Sequence, residues 1–105
     1  MVKPQLLPYE VIESLRKRAG MSVIRVGPSV GMSFTWGQKV CNGTLCPTLT
    51  AADQLAQTLG AREGERVALL TAVCRVKLEL AGFDEAQIRA ATDVLTMASH
   101  LKVNQ

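Results

Sequence analysis

The residues best suited to chemistry in this chain are three cysteines, Cys41, Cys46 and Cys74, and one histidine, His100. Thiolates and imidazoles bind metals and carry redox chemistry, so their spacing decides whether they act together. Cys41 and Cys46 form C-x4-C, which is not the usual spacing of a zinc pair, and His100 lies far along the chain. An odd, sparse set of thiols does not make a secreted disulfide framework either. The carboxylates are scattered over predicted surface helices, with no pair set for acid–base work. There is no Gly-rich phosphate loop and no H-E-x-x-H. The expectation is a non-enzyme without metal or cofactor, whose cysteines are small buried residues.

A second set of residues gathers between Gly31 and Gly43, in GMSFTWGQKVCNG. Two readings compete. The whole stretch 21–46 is rich in β-branched and aromatic residues, and propensity favours strands, so a β-hairpin over 22–46 is one outcome. A single short helix between two glycine stops is the other.

The flanking elements bear on that choice. With 105 residues, 48% of them hydrophobic, the chain suits one domain with a packed core. Only 4% are aromatic, so Leu, Val, Ile and Ala must fill that core, which favours helices. Residues 1–8, with Pro4 and Pro8, read as an arm. Tyr9 to Arg18 reads as a helix with Val11 or Ile12 and Leu15 on its apolar stripe, basic residues at its C-terminal end and Gly20 as its stop. After Pro47, Thr50 is the expected N-cap of a helix with Ala51, Ala52, Leu55, Ala56 and Leu59 on its apolar face, stopped by Gly60. A longer helix follows, with Val67, Leu70, Thr71, Cys74 and Leu78 on one face, broadened by Val73, Val76 and Leu80, and Gly82 as its end. Asp84 then caps a last helix bearing Ile88, Ala91, Val94, Leu95, Ala98 and Leu101 on one side.

The punctuation of the first half resembles the helix-turn-helix domain of the phage-repressor (Xre/Cro-type) family. Five pieces carry the resemblance over residues 9–60, with no insertion or deletion: LRKRAGMS, VGMS, VCNG, CPTL and LAQTLG. The physics agrees with the spacing. Gly31 permits a sharp turn with positive φ, and Ser33 can cap the helix that follows. The opening stretch is therefore expected to be a helix, Ser33 to Cys41, rather than a strand.

What the resemblance implies is an all-α, five- to six-helix, lambda-repressor-like domain with a C-terminal helical extension. Residues 1–62 would form the helix-turn-helix region and 63–105 a helical hairpin, within one compact domain. It further implies sequence-specific binding to double-stranded DNA, with the helix over 33–41 in the major groove. Phe34, Thr35, Gln38 and Lys39 stand where such helices reach bases and phosphates. Gln38 suits adenine edges, Thr35 or Phe34 a thymine methyl, and Lys39 a phosphate. Ser33 and Asn42 are candidate phosphate contacts as well as cap and stop, and Ser22 and Arg25 complete the implied set. Arg16, Lys17 and Arg18 read as a solvated face. Three positions depart from the family pattern: Val23 replaces a polar residue, Gly27-Pro28 stands inside the second helix, and Gly37 replaces a buried Val or Ile. These predict a short or kinked second helix and a rotated recognition helix with Trp36 in the core position.

Members of the family commonly bind paired half-sites as dimers. Val73, Val76, Leu80, Ile88, Val94, Leu95 and Leu101 are the expected homodimer surface. The expected role is a repressor, bacterial, cytoplasmic and nucleoid-associated, with no cofactor implied. A net charge of +3 and a pI near 9.0 are compatible with nucleic acid without demanding it. No apolar run reaches membrane-span length, and MVKPQLLPYE has too short an apolar core for a signal peptide. The alternative is an interaction module on the same fold, an antitoxin or anti-activator with a protein partner and little DNA binding.

Overall fold

In a computed structural model the chain forms six helices: α1 Pro8–Ala19, α2 Val23–Ser29, α3 Phe34–Asn42, α4 Leu49–Thr58, α5 Glu63–Leu80 and α6 Glu85–Val103. The structure describes residues 6–103, with side chains as far as Met97. The expectations placed on residues 1–5, and on the side chains of Ala98, His100 and Leu101, fall outside the described residues. The domain is all-α. Among the described residues there is no strand, which overturns the hairpin alternative for 22–46.

Local chemistry explains where each helix begins and ends. Pro8 opens α1, where a missing N–H costs nothing, and the Glu10 carboxylate accepts from the Leu7 N–H at 2.8 Å. Ser33 Oγ accepts from the Trp36 N–H at 3.0 Å to start α3. Thr48, not Thr50, caps α4: its Oγ1 accepts from the Ala51 N–H at 3.1 Å, so the helix begins at Leu49 and leaves Thr50 in the first turn. The Glu65 carboxylate accepts from the Arg62 N–H at 2.9 Å ahead of α5. Asp84 and Gln87 exchange reciprocal bonds of 2.9 and 3.0 Å at the start of α6. Gly31 and Gly43 take φ of 77° and 86°, the left-handed conformation that the α2–α3 turn and the end of α3 need.

One core runs through the molecule. It joins Ile12 and Leu15 of α1, Val26 of α2, Val40 of α3, Leu55 and Ala56 of α4, and Leu69 and Val73 of α5. α5 touches α1, α4 and α6, so its apolar side is wide. Its most buried residues are Leu69, Ala72 and Val73, whereas the expected stripe of Val67, Leu70, Thr71, Cys74 and Leu78 is only half-buried. α6 buries Ile88 and Thr92, one turn apart, with Ala91 and Leu95 beside them, and turns Val94 to solvent. The Thr92 hydroxyl is accommodated there by donating to the Ile88 carbonyl at 3.1 Å.

Candidate nucleic-acid interface

The α2–α3 pair is held by its backbone. Gly27 lies under the start of α3, and Gly37 lies against Gly27. A Cβ at position 27 would sit 1.9 Å from the Ser33 carbonyl oxygen, and a Cβ at position 37 would sit 2.5 Å from the Gly27 nitrogen. Only two glycines allow helices to approach this closely. The turn between them is tied by the Met32 N–H donating to the Gly27 carbonyl at 2.9 Å and the Gly31 N–H donating to the Pro28 carbonyl at 3.1 Å. α2 is seven residues long with Pro28 in its last turn, so the expected short helix is present. The expected displacement of Gly37 by Trp36 is not. Gly37 keeps the buried position, and Trp36 packs half-buried at the edge of the core.

This packing fixes which face of α3 looks outward. Gly37, Val40 and Cys41 are buried, while Phe34, Thr35, Gln38, Lys39 and Asn42 are exposed. At 3.6 residues per turn those five share one side of the helix. Two of the proposed contact groups also carry local structure. Ser33 Oγ accepts its cap bond, which leaves its O–H free to donate, and Asn42 Oδ1 accepts from the Thr44 N–H at 2.8 Å, which leaves the Asn42 amide free to donate outward. Ser22 precedes α2 with its side chain exposed and engaged in no cap bond.

The charge around α2 and α3 is one-sided. From Ser14 to Ala52 the chain contains no Asp or Glu, but it carries Arg16, Lys17, Arg18, Arg25 and Lys39. Arg16 pairs with Glu13 and donates to the Met21 carbonyl at 2.9 Å. Arg18 pairs with Glu65 and donates to the Gly60 carbonyl at 3.0 Å, tying α1 to the start of α5. These two arginines are structural ties. Lys17, Arg25 and Lys39 make no salt bridge among the described residues, and of these Arg25 and Lys39 lie in α2 and α3. The carboxylate-free stretch is a signal open to inspection in the sequence, and it separates this surface from the rest better than the net charge does. Exposed Ile24 and Met32 add apolar area to the same two-helix unit.

The thiols are free. Burial in the core pushes the Cys41 thiol up to about 11, with the Glu13 carboxylate adding to the effect, and burial also raises Cys46. A raised folded-state value favours the neutral thiol. The stabilisation is therefore complete below the ordinary thiol range and is lost as pH climbs through about 11. In native protein at pH 8, Cys41 is expected to resist a thiol-specific chromogenic disulfide for far longer than in guanidinium. Equal rates in the two conditions would contradict the buried placement.

The expected dimer residues whose side chains are described lie at three depths. Val73 and Ile88 are buried in the chain's own core and are unavailable at the surface. Val76 and Leu95 are half-buried, while Leu80 and Val94 are exposed, joined by Phe83 and Met97, which sequence reasoning missed. Met97 follows Val94 by three residues and so extends the same face of α6. Arg75 crosses from α5 to meet both Glu85 oxygens at 2.9 Å, which fixes how α6 lies on α5. Among the described residues no helix is long and apolar enough to cross a membrane. No protein-family model, curated protein or solved structure matches the chain.

Proposed function

We propose that the chain is a sequence-reading DNA-binding regulator of the phage-repressor type, a repressor that places α3 in the major groove. The observation that carries this reading is the outward face of α3. Phe34, Thr35, Gln38, Lys39 and Asn42 are held on one side of a helix that its glycine contact locks against α2, within the carboxylate-free stretch from Ser14 to Ala52. B-DNA's major groove admits one helix presented in this way, and unopposed positive charge draws it to phosphate. The test is a gel shift on DNA from upstream of the protein's own gene, with wild type and Gln38→Ala. A specific complex that loses about tenfold or more in the variant is expected for a bidentate base contact. No complex at low salt from folded protein would exclude the reading.

The regulator is proposed to act as a homodimer through the outer face of α6. Val94 and Met97 are 63% and 64% exposed, high for apolar residues one turn apart. Sedimentation at micromolar protein is expected to give twice the 11.3 kDa chain mass, falling to the monomer for Val94→Asp with Met97→Asp. A monomeric wild type would remove the dimer from the proposal.

A second reading has its own support. Ile24, Met32 and Phe34 are 64%, 40% and 45% exposed, so the α2–α3 unit offers apolar area as well as charge. An interaction module with a protein partner would use them. Nanomolar binding to such a partner without any DNA shift would favour it.

A further inference from the structure

We infer that the operator half-site is built of A·T pairs beneath α3, with Phe34 reading thymine methyl groups and Gln38 reading adenine. The inference rests on the DNA-binding reading and adds the base composition that the exposed side chains can recognise. Cytosine is most often read by an Asp or Glu that accepts from its amino group. No carboxylate occurs between Ser14 and Ala52, so neither α2 nor α3 supplies one. Reading guanine most often uses an arginine across its O6 and N7. α3 has no arginine, and its one cation, Lys39, lies in the last turn, whereas the helix-turn-helix docking mode brings the N-terminal part of the helix to the base edges.

The remaining outward groups match the other base pair. Phe34, at the first position of α3, is 45% exposed although it is a large apolar side chain, which leaves ring surface for an apolar partner. The C5-methyl of thymine is the apolar group in the major groove. Thr35 adds a methyl beside it. Gln38 stands one turn further on and offers the donor–acceptor pair that fits adenine N7 and N6. Four residues of helix advance about 6 Å, close to two base-pair steps of about 3.4 Å, so the two contacts fall within one short A·T run.

The test begins with selection of wild-type protein on a randomised duplex library, followed by atom-level substitution in the enriched sequence. Replacing thymine by uracil removes only the methyl. It is expected to weaken wild-type binding roughly fourfold per contacted methyl, the equivalent of one buried methyl group. With Phe34→Ala the same replacement is expected to cost clearly less than it costs wild type, the remainder being the share of the Thr35 methyl. Replacing adenine by 7-deazaadenine is expected to weaken wild type and leave Gln38→Ala unaffected. A G·C core beneath α3, or wild-type binding indifferent to uracil, overturns this inference and leaves the DNA reading standing. Failure to enrich any sequence overturns both.

Discussion

Gly27→Ala is expected to be among the most destabilising single methyl additions available in this protein. In an open helical position, alanine in place of glycine stabilises by up to about 1 kcal/mol, because glycine loses more backbone freedom on folding. At position 27 the added carbon would lie 1.9 Å from the Ser33 carbonyl oxygen and 2.8 Å from its carbon. Both are main-chain atoms, and Ser33 is the residue that caps α3, so neither can swing away like the end of a flexible side chain. The helices must separate, and the turn bond from the Met32 N–H to the Gly27 carbonyl goes with them. Overpacking against side chains typically costs about 1–3 kcal/mol, and a backbone collision belongs at or above the top of that range. Against a total of roughly 5–15 kcal/mol, this is a large share of the stability. Gly37→Ala meets the same contact from the other side, 2.5 Å from the Gly27 nitrogen and 2.9 Å from its Cα, and should behave alike. Gly64→Ala is the control. It lies in α5 with nothing within 4 Å of an added Cβ, and no loss of stability is expected, with a gain of up to about 1 kcal/mol. Urea unfolding followed by helical circular dichroism measures all three, and a Gly27→Ala midpoint equal to wild type would mean that α2 and α3 do not meet where the structure places them.

That pair of glycines also shows why the sequence was legible in some places and not in others. Helix starts and stops were readable because their causes are local: Ser33 reaches a backbone N–H three residues on, and Gly43 needs only its own φ. Thr48 was missed in favour of Thr50 because both are threonines near the right place, and the choice depends on where the chain leaves Pro47. The strand propensity of 21–46 misled because Val26 and Val40 pay off their branched side chains in the core of a helical domain, a tertiary gain that outweighs a local preference. Gly27 and Gly37 each look like a defect in a helix when read alone. Ten positions apart, they are one contact, and nothing local announces it. The inside of α5 was misjudged because that helix is apolar over much of its circumference, so periodicity does not choose a side. α1, α4 and α6 choose it instead. The partner of Arg18 is Glu65, 47 residues later, and sequence spacing gave no sign that this arginine is a structural tie. On the candidate interface, the outward set on α3 was legible only through the resemblance to helix-turn-helix domains, and which cations remain free was not legible at all.

The second large effect concerns those free cations. If α3 docks in the major groove, Arg25→Gln combined with Lys39→Gln should weaken binding strongly and, more tellingly, change its salt dependence. Each phosphate neutralised by a cation releases counterions, so log affinity falls with log salt by about 0.9 per contact. Removing two such contacts should flatten the slope by nearly two units and cost roughly 10- to 100-fold in affinity at moderate salt, with little change between specific and random DNA. Arg18→Gln provides the contrast. Arg18 is already paired with Glu65 and bonded to the Gly60 carbonyl, so its charge is largely answered within the protein. The structure around it can loosen, but the slope should hold. Surface charge as a whole cannot produce this difference, because both variants lower the net charge and only one lies on the α2–α3 surface. Fluorescence anisotropy on a labelled duplex across a salt series measures both slopes. Equal flattening per charge removed in the two variants would mean that DNA meets the protein as a diffuse basic surface, and that α3 is not its reading head.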